Sequence, residues 1–147
     1  MQLEITERTA LTDVDTTVAR LHELRALGIR VAIDDFGTGY SSLGYLKSLP
    51  VDVVKLDRSF VESMDTQTSD VAIVQAVITM GHALGMKVTA EGVERPEQAA
   101  RLRALGCDTA MGWLWSPAMP HTDIPDAITE GFPVAFGMQL VPRRRIA

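Results

Sequence analysis

Four carboxylates and one lysine stand at positions where this chain could do chemistry. Asp34 and Asp35 are adjacent acids that follow the apolar run Val31-Ala32-Ile33. Two neighbouring carboxylates near a buried strand end repel each other and lose hydration, so a cation or a proton has to offset them. A solvated loop or an acidic helix cap is the plainer reading of such a pair. Gly37 and Gly39 follow closely and weigh against it, because glycine lets the backbone turn sharply or lets a ligand approach. Successive strand side chains point to opposite faces. Asp34 and Asp35 can therefore share one site only if Asp35 has left strand geometry.

The other charged positions extend the pattern. Glu4 interrupts a β-prone stretch, Leu3-Glu4-Ile5-Thr6, as a site residue or as an exposed acid on a sheet edge. Lys55 lies in Val53-Val54-Lys55-Leu56, where an unpaired lysine is costly. Pairing with Asp57 is its structural alternative; a place beside a metal-bound water or a phosphate oxygen is the functional one. Glu91 ends the run Val88-Thr89-Ala90 before Gly92, as a candidate ligand or general base, and Glu94 reads as a cap for the helix near Pro96. Glu7 either caps a helix or pins a loop.

Hard oxygen donors without clustered His or Cys point to Mg²⁺ or Mn²⁺ rather than to structural zinc. His22, His82 and His121 are scattered, and no Gly-x-Ser-x-Gly motif or Cys/His pair offers nucleophilic catalysis. Carboxylates plus one lysine suit metal-assisted hydrolysis of a phosphodiester, with two ions about 3.5–4 Å apart.

A recurrence reveals the elements that must position these groups. Ala26-Leu27-Gly28, Ala83-Leu84-Gly85 and Ala104-Leu105-Gly106 each precede a short β-prone run. Each reads as a helix end, a glycine free to take positive φ, and a strand. Val14, Val18, Leu21 and Leu24 or Arg25 fall at helical spacing, with Asp13, Asp15 and Thr16 near the start as capping residues; Ile73, Val77, Met80 and Leu84 form a second stripe, and Ala99, Leu102 and Leu105 a third, with Pro96 in its first turn. All three stripes read as core. Strands are expected at residues 3–6, 30–34, 53–56, 87–90 and 108–111, and a last short helix near residues 122–130.

Apolar strands alternating with helices mean an α/β fold with a parallel sheet. The acids and the lysine fall at the carboxyl ends of several strands. Those ends converge in a (β/α)₈ TIM-type barrel and spread along the edge of an open doubly wound sheet, so convergence favours the barrel. A whole barrel takes about 250 residues. About five βα units of the C-terminal part of such a barrel are expected here, over residues 1–131, with a tail over 132–147.

Composition narrows the function classes. The 147 residues are 46% hydrophobic and 22% charged, with a net charge of −5, and lack the basic footprint of a DNA- or RNA-binding domain. The one cysteine, Cys107, permits no internal disulfide, which fits a reducing cytoplasm. The first residues lack the pattern of a signal peptide. No apolar run reaches the about 18 residues of a membrane span. Arg143, Arg144 and Arg145 read as a solvated patch near the end.

Four segments together resemble the bacterial EAL domain, from about residue 2 to residue 130: Glu4-Ile5-Thr6-Glu7, Asp34-Asp35-Phe36-Gly37-Thr38-Gly39-Tyr40-Ser41-Ser42, Lys55-Leu56-Asp57-Arg58-Ser59-Phe60 and Ala90-Glu91-Gly92-Val93-Glu94. The resemblance implies a modified TIM barrel that hydrolyses cyclic di-GMP to pGpG with two Mg²⁺ or Mn²⁺ ions. It implies that Glu4 and Asp34 bind the first metal, with Asp34 shared, and that Asp35 binds the second. Lys55 would hold the attacking water or a phosphate oxygen. Glu91 would be a second-metal ligand or the general base. Glu7 would anchor the loop of residues 36–42, which in the family orders the metal site and borders a homodimer interface.

Two departures accompany the likeness. The family's Glu-Ala-Leu strand, whose glutamate is a metal ligand, and an asparagine ligand on a later strand have no counterpart in these residues. The family's usual Gln-Gly is Met111-Gly112 here, and methionine cannot replace the amide as a hydrogen-bond donor. Impaired or absent turnover is therefore the expectation for this chain alone. The alternatives are a degenerate module that binds cyclic di-GMP or a protein partner without catalysis, and a non-functional fragment.

Overall fold

The computed structural model describes residues 1–37, 43–64 and 67–130. Five strands form one parallel sheet in the order β1-β2-β3-β4-β5. They are β1 (Gln2–Thr6), β2 (Arg30–Phe36), β3 (Val53–Leu56), β4 (Lys87–Ala90) and β5 (Thr109–Ala110). Between and after them lie α1 (Glu7–Thr12), α2 (Val14–Ala26), α3 (Leu43–Leu46), α4 (Arg58–Ser63), α5 (Thr68–Ala83), α6 (Pro96–Ala104) and α7 (Ile124–Glu130). A doubly wound sheet reverses its strand order at a switch point. This sheet runs in chain order without reversal, as consecutive strands of a barrel do. The tail expected at residues 132–147 lies outside the described residues.

The two faces of the sheet divide the labour. Val31, Ile33, Val54, Leu56, Val88 and Ala90 belong to the buried apolar core, together with Leu21, Val61, Val74, Ile78 and Leu102 from the helices. By the two-residue period of a strand, the opposite face carries Asp34 on β2 and Lys55 on β3.

The three Ala-Leu-Gly junctions behave as their sequence implies. Gly28, Gly85 and Gly106 take φ of 77°, 75° and 85°, and each follows the leucine that caps a helix. Asp13 caps α2 by accepting from the Thr16 N–H, and Pro96 opens α6. Of the stripe expected on α5, Val77 is in the core and Met80 and Leu84 pack against it, and only its first member departs. Val74, Val77, Ile78 and Gly81 are buried, while Ile73 is exposed. Gly81 sits under Val88, where a Cβ would meet the valine side chain at 2.7 Å, so β4 approaches α5 along the Val74–Gly81 side.

One device occurs twice at the amino ends of the strands. Asp52 Oδ2 accepts from the Val31 N–H at 2.9 Å while its Oδ1 meets Arg25 near the end of α2 at 3.0 Å. Asp108 Oδ2 accepts from the Val88 N–H at 2.9 Å and meets His82 Nε2 near the end of α5 at 2.7 Å. Each aspartate ties the start of one strand to its neighbour and to the helix before that neighbour. Asp108 therefore precedes β5 instead of opening it, and β5 is shorter than expected.

Candidate metal centre

β2 is where the site is shaped. Its pairing with β3 runs Ala32↔Val53 and Ile33↔Val54, then resumes at Phe36↔Leu56, so β2 holds one extra residue. Asp35 takes φ of 54° within this bulge, and it is the non-glycine residue with positive φ among those described. A bulge re-aims the side chains that follow it. The backbone therefore leaves regular strand geometry at Asp35, the condition for two adjacent acids to serve one side. Asp34 is half-buried and Asp35 exposed.

Three carboxylates converge on one ammonium. Lys55 Nζ lies 2.6 Å from Glu4 Oε2, 2.7 Å from Glu91 Oε1 and 2.9 Å from Asp34 Oδ1. These acids come from β1, from the residue after β4, and from β2. Glu91 keeps its place because its N–H donates to the Leu56 carbonyl at 3.1 Å, continuing the β3–β4 ladder. Lys55 is 5% exposed. Burial acts to lower its pKa, but its hydrogen bonds to Glu4 and Glu91 and the closeness of Asp34 outweigh this and raise it above the usual lysine value. Lys55 is thus a fixed positive charge. Its alternative pairing with Asp57 is not what forms: Asp57 Oδ1 caps α4 through the Ser59 N–H at 2.9 Å.

The donor chemistry suits a hard divalent cation. Three carboxylates against one ammonium leave a surplus of negative charge. Asp34 Oδ1 is buried and has the Lys55 ammonium 2.9 Å away as its charge partner. The arrangement has the lysine ammonium at its centre, and among the described residues no three His, Cys, Asp or Glu side chains stand ready around a common metal position.

Glu7 lies apart from this cluster. It opens α1, is 7% exposed, and accepts from the Gly37 N–H at 3.1 Å. Gly37 takes φ of 98°, and a Cβ there would meet the Phe60 ring at 2.8 Å. The carboxylate of Glu7 thus holds the chain where it leaves β2. Residues 38–42 of the expected anchored loop, and with them most of the expected dimer region, lie outside the described residues.

Several neighbours of the site were not foreseen. Glu94 does not cap α6 with its side chain; its Oε1 pairs with Arg58 Nη2 at 2.9 Å. The buried side chain of Gln98 takes that capping role, accepting from the Glu94 and Arg95 N–H groups at 2.9 and 3.0 Å while its amide donates to the Val61 carbonyl at 3.2 Å. Arg58 lies over Gly92, where a Cβ would meet its Cγ at 2.3 Å, and its guanidinium is 5.9 Å from the Trp113 ring centroid. Arg58, Glu91, Gly92, Glu94, Met111, Gly112 and Trp113 line an open cleft of ≈ 250 Å³ beside the carboxylates. Gln98 three residues after Arg95, just behind Pro96, is the Gln half of a capping box and could have been read from the sequence; nothing in the sequence pairs Arg58 with Trp113.

Comparison with known proteins gives this geometry a family. The EAL domain model matches residues 1–118. The chain is 47% identical over 120 residues to the cyclic di-GMP phosphodiesterase NbdA of Pseudomonas aeruginosa, covering 82% of this chain and 15% of NbdA. The EAL domain of Mycobacterium smegmatis DcpA superposes with a TM-score of 0.82 at 44% identity, covering 89% of this chain and 59% of that one. BlrP1 of Klebsiella pneumoniae, solved with manganese and cyclic di-GMP, superposes with a TM-score of 0.74 at 36% identity, covering 79% of this chain and 30% of that one. The chain therefore spans only part of the length of each relative, and its five parallel strands match part of their TIM-type barrel. With the family model covering most of its residues, this chain belongs to the EAL domain family.

Proposed function

We propose that this chain forms the metal-binding part of a cyclic di-GMP phosphodiesterase, acting on a phosphodiester of the dinucleotide to give pGpG. The observation that carries this reading is the convergence of Glu4, Asp34 and Glu91 from three strands onto Lys55 Nζ at 2.6–2.9 Å. Glu4, Asp34, Asp35 and Glu91 would hold Mg²⁺ or Mn²⁺, with Asp34 shared between two positions. When bound, such ions lower the pKa of a coordinated water and offset charge on the phosphate. Lys55, fixed as an ammonium, orients a phosphate oxygen or the attacking water. Glu91 would serve as a metal ligand or as the base that accepts a proton from that water. Glu7 anchors the segment that begins at Gly37. The relative BlrP1, solved with manganese and cyclic di-GMP, supports both the metal and the ligand class.

The test is direct. The chain is incubated with cyclic di-GMP and Mn²⁺, and pGpG is followed by chromatography. Slow, metal-dependent linearisation that Asp34→Asn abolishes is the expected result. Absence of pGpG at high protein concentration overturns hydrolysis by this chain. A second reading, cyclic di-GMP binding without catalysis, is favoured by Met111 at the end of β5, where the amide side chain usual in the family is replaced by a thioether. Calorimetric binding without product selects it. No helix among the described residues is long and apolar enough to cross a membrane. We place the chain's action in the cytoplasm, where its proposed substrate and a single unpaired cysteine are at home.

A further inference from the structure

Glu91 stands beyond the last residue of β4, where the sheet holds its backbone but not its side chain. Its N–H donates to the Leu56 carbonyl, and the chain then turns toward α6 through Gly92, at φ of 67°. A connecting segment of this kind ordinarily leaves its N–H groups to water. Here Val93 donates to the Met111 carbonyl at 3.0 Å, and Glu94 and Arg95 both donate to Gln98 Oε1, at 2.9 and 3.0 Å. The segment that follows Glu91 is thus held from inside the protein.

Gln98 does more than close the start of α6. A capping glutamine needs only its oxygen. This one is 1% exposed, and its amide also donates to the Val61 carbonyl on α4 at 3.2 Å. α4 begins at Arg58, directly after the run Lys55-Leu56-Asp57. Gln98 therefore ties the segment that follows Glu91 to the helix that follows Lys55. Gly92 supports the same tie, since it packs on Arg58 so closely that a Cβ would meet the arginine Cβ at 2.7 Å. Ahead of the Lys55–Glu91 contact the two strands are joined by the ladder Lys55↔Thr89 and Leu56↔Ala90. Beyond it they are joined through Gln98. A buried amide matched on both its oxygen and its nitrogen orients the elements it joins as well as stabilising them.

We infer that Gln98 is a positioning residue for the Lys55 cluster: by holding Glu94 and Arg95 to α4 it sets the Glu91 carboxylate at 2.7 Å from Lys55 Nζ. Without the tie the chain is free to turn at Gly92, and Glu91 moves away from the ammonium and from any cation the acids hold. The inference rests on the reading of those acids as a metal centre, and it adds a residue that touches neither metal nor substrate.

NMR of the Lys55 ammonium in the metal-free chain tests it, together with calorimetric titration of Mn²⁺. The variants are Gln98→Leu, Gln98→Glu, Glu91→Gln as the reference for a lost contact, and Leu102→Ala as the control. Leu102 is a buried residue of the same helix whose truncation destabilises the core without touching these hydrogen bonds. Melting temperatures establish that each variant is folded. Gln98→Leu is expected to move the Lys55 signal toward its position in Glu91→Gln and to weaken Mn²⁺ by about tenfold. Gln98→Glu, once ionised, still accepts from Glu94 and Arg95 but no longer donates to Val61, so it should move the signal the same way; it decides the matter if Gln98→Leu does not fold. Leu102→Ala should lower the melting temperature and leave the Lys55 signal in place. A signal unchanged in the folded Gln98 variants, or moved as far by Leu102→Ala, overturns the positioning role. A Gln98-dependent Lys55 signal in a chain that binds no Mn²⁺ keeps the positioning role and overturns the metal centre.

Discussion

Lys55 Nζ meets Glu4 Oε2 at 2.6 Å, a link from β3 to β1 that passes over β2, the strand between them in the sheet. Asp34 on β2 and Glu91 beyond β4 close on the same nitrogen. One buried ammonium therefore stands among acids from three other strand ends. Removing one member of a buried ion group leaves the others uncompensated. Lys55→Met should destabilise the chain by about 1–3 kcal/mol, below the usual range for fully buried pairs because Glu4 is partly exposed. Urea unfolding measures the loss. Added Mn²⁺ should restore much of it in Lys55→Met, since a divalent cation can take over the compensation.

Glu7 and Gly37 form a second functional tie. Glu7→Ala removes the acceptor of the Gly37 N–H from a buried position. A lost hydrogen bond to a charged group is worth about 1.5–3 kcal/mol. The expected signature is local: faster hydrogen exchange at Gly37 and its neighbours, with Val54 and Val88 on the core strands changing much less. Equal acceleration throughout would mean that Glu7 acts on the whole fold.

Gln98 should be the most sensitive polar side chain outside the Lys55 cluster. It is 1% exposed and joins the Glu94 and Arg95 N–H groups to the Val61 carbonyl. Gln98→Leu keeps similar volume and strands all three groups. A cost of about 2–4 kcal/mol follows from leaving buried polar groups unpaired. A denaturant midpoint within error of the unmodified chain would contradict this.

Asp108 gives the acid limb of stability a definite direction. Burial acts to raise its pKa, but the Val88 N–H and His82 outweigh it and hold the carboxyl below its ordinary 3.8. A group whose folded pKa is depressed contributes stability above its unfolded value and loses it as pH falls through the folded one. Asp108→Asn should therefore cost about 1 kcal/mol near pH 7, from the weakened bond to Val88. That difference should shrink as pH falls below about 4. Urea midpoints of both chains at pH 7, 5 and 3 check the sign.

Much of this was readable from residue order, and the reasons differ by feature. Ala-Leu-Gly marked three helix-to-strand junctions because positive φ is a local demand that glycine meets. Asp34 and Lys55 stood out because charge in apolar parallel strands needs a partner. The bulge was readable as a requirement on Asp35, though not its span, since it depends on pairing with β3. The α5 stripe held at Val77, Met80 and Leu84 but not at Ile73, because Ile73 and Val74 are both apolar and only the close approach of Val88 to Gly81 decides which of them is buried. The Arg58–Glu94 and Arg25–Asp52 contacts span 36 and 27 positions, so no local spacing announces them. Gln98 resembled a surface residue of an amphipathic helix; its burial follows from α4 packing, which places the Val61 carbonyl within its reach.

The central claim is that the carboxylates around Lys55 bind a divalent cation. Calorimetric titration of Mn²⁺ into the chain and into Asp34→Asn tests it most directly, because Asp34 stands on β2 between Glu4 and Lys55 and brings a buried carboxylate oxygen to the cluster. Saturable binding in the unmodified chain that weakens by about tenfold or more in Asp34→Asn is the expected result. No Mn²⁺ binding, or binding that Asp34→Asn leaves unchanged, would contradict it.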